Sequence, residues 1–139
     1  MIGGSTVSFE TRYTVEWGDC DEAGIVFYPN YFYWLDCTWQ RLLRSRGLSQ
    51  RELKRRFGVV TPLMDVGCNF TASVTHDDEL VIAATITEWM EKRFRVSYTL
   101  TVAGRAVATG HELRAWAVAG DGGRLTSAPI DDAFRRLLI

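Results

Sequence analysis

An excess of positive charge is missing from this chain. Sixteen Lys and Arg face seventeen Asp and Glu, giving a formal net charge of −1 and a pI near 6.1. The strongly basic footprint of a nucleic-acid-binding domain is therefore absent. Histidine is scarce: His76 and His111 lie in unrelated segments, with no neighbouring ligands at metal-site spacing. The three cysteines, Cys20, Cys37 and Cys68, are odd in number and form no CxxC, which excludes a disulfide framework and points to reduced thiols in the cytoplasm. No apolar run reaches the roughly 18 residues of a membrane span. The stretch Met1 to Ser5 has neither the basic nor the apolar region of a signal peptide. The expectation is a cytoplasmic protein with no nucleic-acid and no membrane partner.

What is present is enough for a core. The chain has 139 residues, 47% of them apolar, which fits one globular domain over residues 1–139. No linker, repeat or low-complexity segment divides it. A chain this short has little length to spare for a deep pocket, which favours a site shared between subunits.

Residues 7–17 alternate, with Phe9, Thr11, Tyr13, Val15 and Trp17 on one face, and predict a half-buried strand. A polar loop follows from Gly18 to Gly24. Tyr31, Trp34, Leu35, Thr38, Leu42 and Leu43 recur at helical spacing, predicting a helix over 30–46 that opens near Pro29 and stops at Gly47. Its many aromatics imply cover on several sides. Ser49 with Glu52 has capping-box spacing and predicts a short helix over 50–56. Strands are expected over 59–70 with a bend at Pro62, then over 79–89, 92–102 and 105–118, and a last helix over 130–138. One long helix followed by a meander implies an α+β layer structure, with a curved antiparallel sheet of about five strands wrapped around the helix. Such a thin sheet leaves a face or an edge open for self-association.

Chemistry concentrates between Trp17 and Tyr31. Asp19, Asp21 and Glu22 supply carboxylates, and Gly24 permits close backbone approach. The helix start near Tyr28 offers unpaired N–H groups and a positive dipole end. A carbonyl held there would be polarised, and a nearby carboxylate would attack it or activate water. The alternative is an ordinary acidic capping loop. Cys20, flanked by Asp19 and Asp21, is poorly placed for a thiolate nucleophile. Cys37 and Cys68 read as small core residues, and His111 as a strand-face histidine.

Asp19-x-Asp21-x-x-Gly24-x-Val26-x-x-x-x-Tyr31 resembles the signature of the 4-hydroxybenzoyl-CoA thioesterase family of hot-dog-fold proteins. The resemblance continues through Trp34-Leu35-Asp36, Thr61-Pro62, Cys68-Asn69, Asp77-Asp78 and Glu88-Trp89 with Lys92 and Phe94. It implies a hot-dog fold and an acyl-CoA thioesterase, closest to the type of the 4-chlorobenzoate pathway. No cofactor or metal is implied, because coenzyme A enters as part of the substrate. Asp21 falls on the catalytic carboxylate, nucleophile or general base, and the Tyr28 N–H on the carbonyl-polarising position. Gly24 and Val26 shape the loop. Asp36 falls on a residue associated with the hydroxyl of an aromatic acyl group, a charge-paired helix carboxylate being the alternative, and Asp19 orders the loop by accepting backbone N–H bonds, a catalytic role being the alternative. Lys92 and Arg93 fall where the family meets CoA phosphates. Two further basic places there hold Met90 and Glu91, with Arg55, Arg56 or Arg114 as candidates to compensate. A homodimer with an interface active site, assembling to a homotetramer, is implied. The alternatives are fatty acyl-CoA or acyl-carrier-protein substrates, or a noncatalytic acyl-CoA-binding protein. A dehydratase would need a histidine in the loop–helix segment, and none is there.

Overall fold

Helical spacing and a glycine stop place one long helix, α1, at Pro29–Ser45 in the structure, a computed structural model that describes residues 8–139. Residue 7 and the stretch Met1 to Ser5 lie outside them. Tyr31, Trp34, Leu35, Thr38, Trp39, Leu42 and Leu43 form its buried face, the i, i+3, i+4 stripe of an amphipathic helix. Pro29 occupies the first turn, where a missing N–H costs nothing. Gly47 ends the helix at φ +73. Its N–H donates to the Arg44 carbonyl, and that of Leu48 to Leu43, the paired bonds of a Schellman cap. A second helix, α2 (Gln50–Phe57), is capped by the Ser49 hydroxyl, which accepts from the Glu52 N–H.

Five strands make the main sheet: β1 (Ser8–Thr14), β3 (Leu63–Phe70), β4 (Glu79–Trp89), β5 (Arg93–Val102) and β6 (Arg105–Ala115). They run in the order β1-β4-β5-β6-β3, and every pairing is antiparallel. Leu80, Ile82, Ala84 and Ile86 of β4, with Phe94, Val96, Tyr98 and Leu100 of β5, are buried at a period of two. They form the sheet's inner face, which packs against α1. At Gly110 the helix comes so close that a Cβ there would lie 3.0 Å from Leu35 Cδ1. This is the curved sheet around a long helix that the sequence implied.

Three boundaries differ. The strand expected over 105–118 breaks at Trp116, which is buried among Phe57 and Phe134. Beyond it, β7 (Ala117–Ala119) joins β2 (Val59–Val60) and β8 (Leu125–Ser127) in a second, three-stranded sheet. The stretch 59–70 splits at Thr61-Pro62 into β2 and β3, which belong to different sheets. The first strand stops at Thr14, and Trp17 turns out to solvent, 77% exposed. There Asp19 folds the chain into a tight turn by accepting from the Glu16 N–H at 2.8 Å. The last helix, α3 (Asp132–Leu137), anchors through Phe134, buried among Phe57, Trp89, Phe94 and Trp116. The aromatics of α1 divide: Trp34 and Trp39 are buried, whereas Tyr33 is 66% exposed.

Candidate active site

The loop between β1 and α1 is held from three sides. Asp21 and Gly24 close a tight turn: the Gly24 N–H donates to the Asp21 carbonyl at 2.9 Å, and Gly24 has φ +79, a conformation glycine adopts without strain. Asp19 takes two donors on its carbonyl, the Phe27 N–H at 2.9 Å and Asn30 Nδ2 at 2.8 Å. The segment before β4 clamps the far side. The Val26 N–H donates to the Val74 carbonyl at 2.9 Å, and the Thr75 hydroxyl donates to the Gly24 carbonyl at 2.6 Å. Val26 is buried, while Asp21, Gly24 and Tyr28 are exposed.

These constraints leave a cleft of about 600 Å³ lined by Asp21, Ile25, Val26, Tyr28, Tyr31 and the stretch Phe70 to Val74. One carboxylate oxygen of Asp21 is engaged, Oδ1 accepting from the Ala23 N–H at 2.9 Å. Among the described residues the Tyr28 N–H has no acceptor. It precedes Pro29, which has no N–H, and the next two amides turn back on Phe27 and Tyr28. A free donor thus stands at the positive end of α1, on a residue that lines the same cleft as Asp21. Burial pushes the Tyr31 phenol up to about 12, further from ionisation than an exposed tyrosine.

Asp21, Val26 and Tyr28 come together in this cleft, and Gly24 closes the turn behind them. The other expected site residues stand elsewhere. Asp36 is two turns along α1, where its Oδ1 accepts from Arg114 Nη2 at 2.8 Å. The charge-paired arrangement thus holds within the chain. Lys92 and Arg93 are exposed at the β4–β5 connection, beside Met64, Met90, Glu91 and Ser127 in a separate cleft of about 370 Å³. Thr75 lies just before β4, so the Asp21 loop sits at the opposite end of that strand from Lys92. The strand is eleven residues long, which sets its two ends about 33 Å apart.

Arg114 corrects an expectation. It is buried and bonded to Glu112, Asp36 and the Thr61 carbonyl, so it is not available to a phosphate. Arg55 is paired with Glu52 at 2.7 Å. Cys68 is half-buried, and burial pushes its thiol up to about 11, in keeping with a structural role. His111 lies on a strand face, with Nε2 2.8 Å from Asp65 Oδ2. No three His, Cys, Asp or Glu side chains among the described residues converge to hold a metal ion.

Sequence reasoning missed the far wall of the cleft and the Thr75 clamp. Phe70 read there only as the end of a strand, and a contact between residues 51 apart leaves no periodic signal.

Known proteins match this architecture over most of the chain. The family described as "Thioesterase-like superfamily" matches residues 15–138. A 4-hydroxybenzoyl-CoA thioesterase of Pseudomonas sp. (strain CBS-3) is 35% identical over 130 residues, covering 88% of this chain and 92% of the relative. The crystal structure of a mutant 4-hydroxybenzoyl-CoA thioesterase complexed with 4-hydroxybenzoyl-CoA superposes with a TM-score of 0.88 at 30% identity, covering 95% of this chain and 99% of that one. A gentisyl-coenzyme A thioesterase superposes with a TM-score of 0.79 at 33% identity, covering 91% and 98%. With its helix wrapped by an antiparallel sheet and its match spanning nearly every described element, the chain belongs to the thioesterase-like superfamily of hot-dog-fold thioester hydrolases.

Proposed function

We propose that this chain hydrolyses the thioester of an aromatic acyl-CoA, of hydroxybenzoyl or benzoyl type, to the free acid and coenzyme A. The observation that carries the reading is one cleft holding an exposed carboxylate, Asp21, and an unpaired helix-start donor, the Tyr28 N–H. In this reading the thioester oxygen accepts from Tyr28, and the positive end of α1 stabilises the oxyanion that forms as the carbonyl is attacked. The Ala23 N–H steadies Asp21 Oδ1. The other oxygen attacks the carbonyl carbon or takes a proton from an attacking water. Collapse of the adduct breaks the carbon–sulfur bond and releases the CoA thiolate. If Asp21 is the nucleophile, water then cleaves the acyl–Asp21 anhydride and restores the carboxylate. No cofactor is called on.

Ile25, Val26, Tyr31 and Phe70 give the cleft apolar walls suited to an aryl group. The similar proteins named for 4-hydroxybenzoyl-CoA and gentisyl-CoA support the same substrate class. Asp36 receives the hydroxyl of the acyl ring, and Lys92 with Arg93 meets the CoA phosphates. Neither lines the Asp21 cleft of its own chain, so this assignment requires them to come from partner subunits. Edge strand β3, with Leu63 46%, Met64 52% and Phe70 44% exposed, supports a homodimer with its site at the interface, and a further pairing to a tetramer.

The test is CoA release, followed with a thiol reagent, across aroyl-, phenylacetyl- and fatty acyl-CoA. The expected kcat/KM is about 10-fold or more higher for aroyl-CoA, the discrimination one pocket supplies. Equal values on all three would remove the aromatic part of the reading, and no release from any would leave an acyl-CoA binder. Sedimentation alongside the assay should show an oligomer; a fully active monomer would overturn the shared site.

A further inference from the structure

Behind Asp36 lies a buried charge cluster that the mechanism above does not use. Glu112 and Arg114 are inward-facing neighbours on β6, their side chains 1% and 5% exposed. Arg114 Nε donates to Glu112 Oε1 at 3.1 Å, and Nη2 lies 3.1 Å from Oε2. Nη1 donates to the Thr61 carbonyl at 2.9 Å, and Nη2 to Asp36 Oδ1 at 2.8 Å. The Tyr98 hydroxyl donates to Glu112 Oε1. One cation therefore faces two carboxylates. Glu112, buried and bonded on both oxygens, already balances Arg114. The charge on Asp36, whose side chain is half exposed, is surplus to the cluster.

The geometry at Asp36 has a direction. Its Oδ1 accepts from Arg114 and, at 3.4 Å, from Gln40 Nε2. Among the described residues Oδ2 has no partner. A carboxylate on a helix surface ordinarily rotates among water-bonded rotamers. Here a planar guanidinium, itself fixed by Glu112 and Thr61, pins one oxygen and leaves the other as a standing acceptor.

We propose that Arg114 is a positioning residue that holds Asp36 as a pre-set acceptor for a hydroxyl on the acyl ring, so that the enzyme selects hydroxylated over unsubstituted aroyl groups. This rests on the reading above in which Asp36 meets the acyl group. An unsubstituted ring would strip water from the free oxygen and return no donor, and that difference is what separates the two substrates. Lysine could not do the same, because a single ammonium cannot span Glu112, Thr61 and Asp36 in one plane.

The experiment measures kcat/KM for 4-hydroxybenzoyl-CoA and benzoyl-CoA on the wild-type protein, Asp36→Ala, Arg114→Lys and the double variant Glu112→Gln/Arg114→Met. The double variant removes the buried cation together with its counter-charge, and Arg114→Lys keeps the cation should the double variant not unfold cooperatively. The expected wild-type preference for the hydroxylated substrate is about 10-fold or more. Asp36→Ala should abolish it, and each folded Arg114 variant should lower it severalfold. A merely structural cluster would depress both substrates alike and keep their ratio. That result, with the ratio lost in Asp36→Ala, overturns the role of Arg114 and leaves the Asp36 assignment standing. A ratio kept in Asp36→Ala, or absent from the wild-type protein, overturns the Asp36 contact and this inference with it. No turnover of either substrate would overturn the thioesterase reading itself.

Discussion

Thr75 sits in a polar turn that looks like a simple connection, yet its hydroxyl reaches the Gly24 carbonyl at 2.6 Å and holds the turn that carries Asp21. A hydrogen bond of this kind contributes about 1 kcal/mol, and here it fixes the turn that carries the proposed reacting carboxylate. Thr75→Val should lower kcat on 4-hydroxybenzoyl-CoA severalfold and cost about 1 kcal/mol of stability, while Thr75→Ser should keep both. Steady-state rates and thermal unfolding check this; a Val variant with an unchanged kcat would deny the clamp. Asp19 shows what a sequence reveals at this level. Its bonds to Glu16 and Phe27 are local, the kind of loop-ordering contact expected of an acidic residue beside a turn. Thr75 acts across 51 residues, and Arg114 reaches Asp36 across 78. Neither distance leaves a pattern in the sequence.

The long helix and the strands of the main sheet were legible because burial repeats along them. Seven residues of α1 recur on one face, and β4 and β5 alternate cleanly between core and surface. The small β2-β7-β8 sheet was not legible. Its strands are two or three residues long, too short for any period to show. Trp116, which separates β6 from β7, is as apolar as its flanks. Helix and sheet meet most closely at Gly110, where a Cβ would lie 3.0 Å from Leu35 Cδ1 and 3.4 Å from the Gly67 carbonyl. Leu35 is fully buried and has no space to retreat. Gly110→Ala should therefore destabilise the protein by about 1–3 kcal/mol through overpacking, seen as a lower denaturant midpoint. An unchanged midpoint would show that α1 can shift outward at no cost.

The whole molecule joins a well-packed core to an open cleft. Burial is nearly complete beneath α1 and around Phe134, whereas Trp17, Phe27, Tyr28 and Tyr33 stay 77%, 49%, 61% and 66% exposed near the reacting groups or along the same helix. In the proposed reading, a short chain spends its apolar residues on the core and leaves one wall of its site to a partner subunit. That account explains why Asp36 and the Lys92–Arg93 turn stand away from the Asp21 cleft within one chain. All of it depends on Asp21 supplying the carboxylate that breaks the thioester. The most direct measurement is the kcat of Asp21→Asn on 4-hydroxybenzoyl-CoA, beside its thermal unfolding curve. The substitution keeps the side chain's size and the acceptor for the Ala23 N–H but removes the charge. The account predicts wild-type unfolding and a kcat lower by about 100-fold or more; a folded Asp21→Asn protein turning over at the wild-type rate would contradict it.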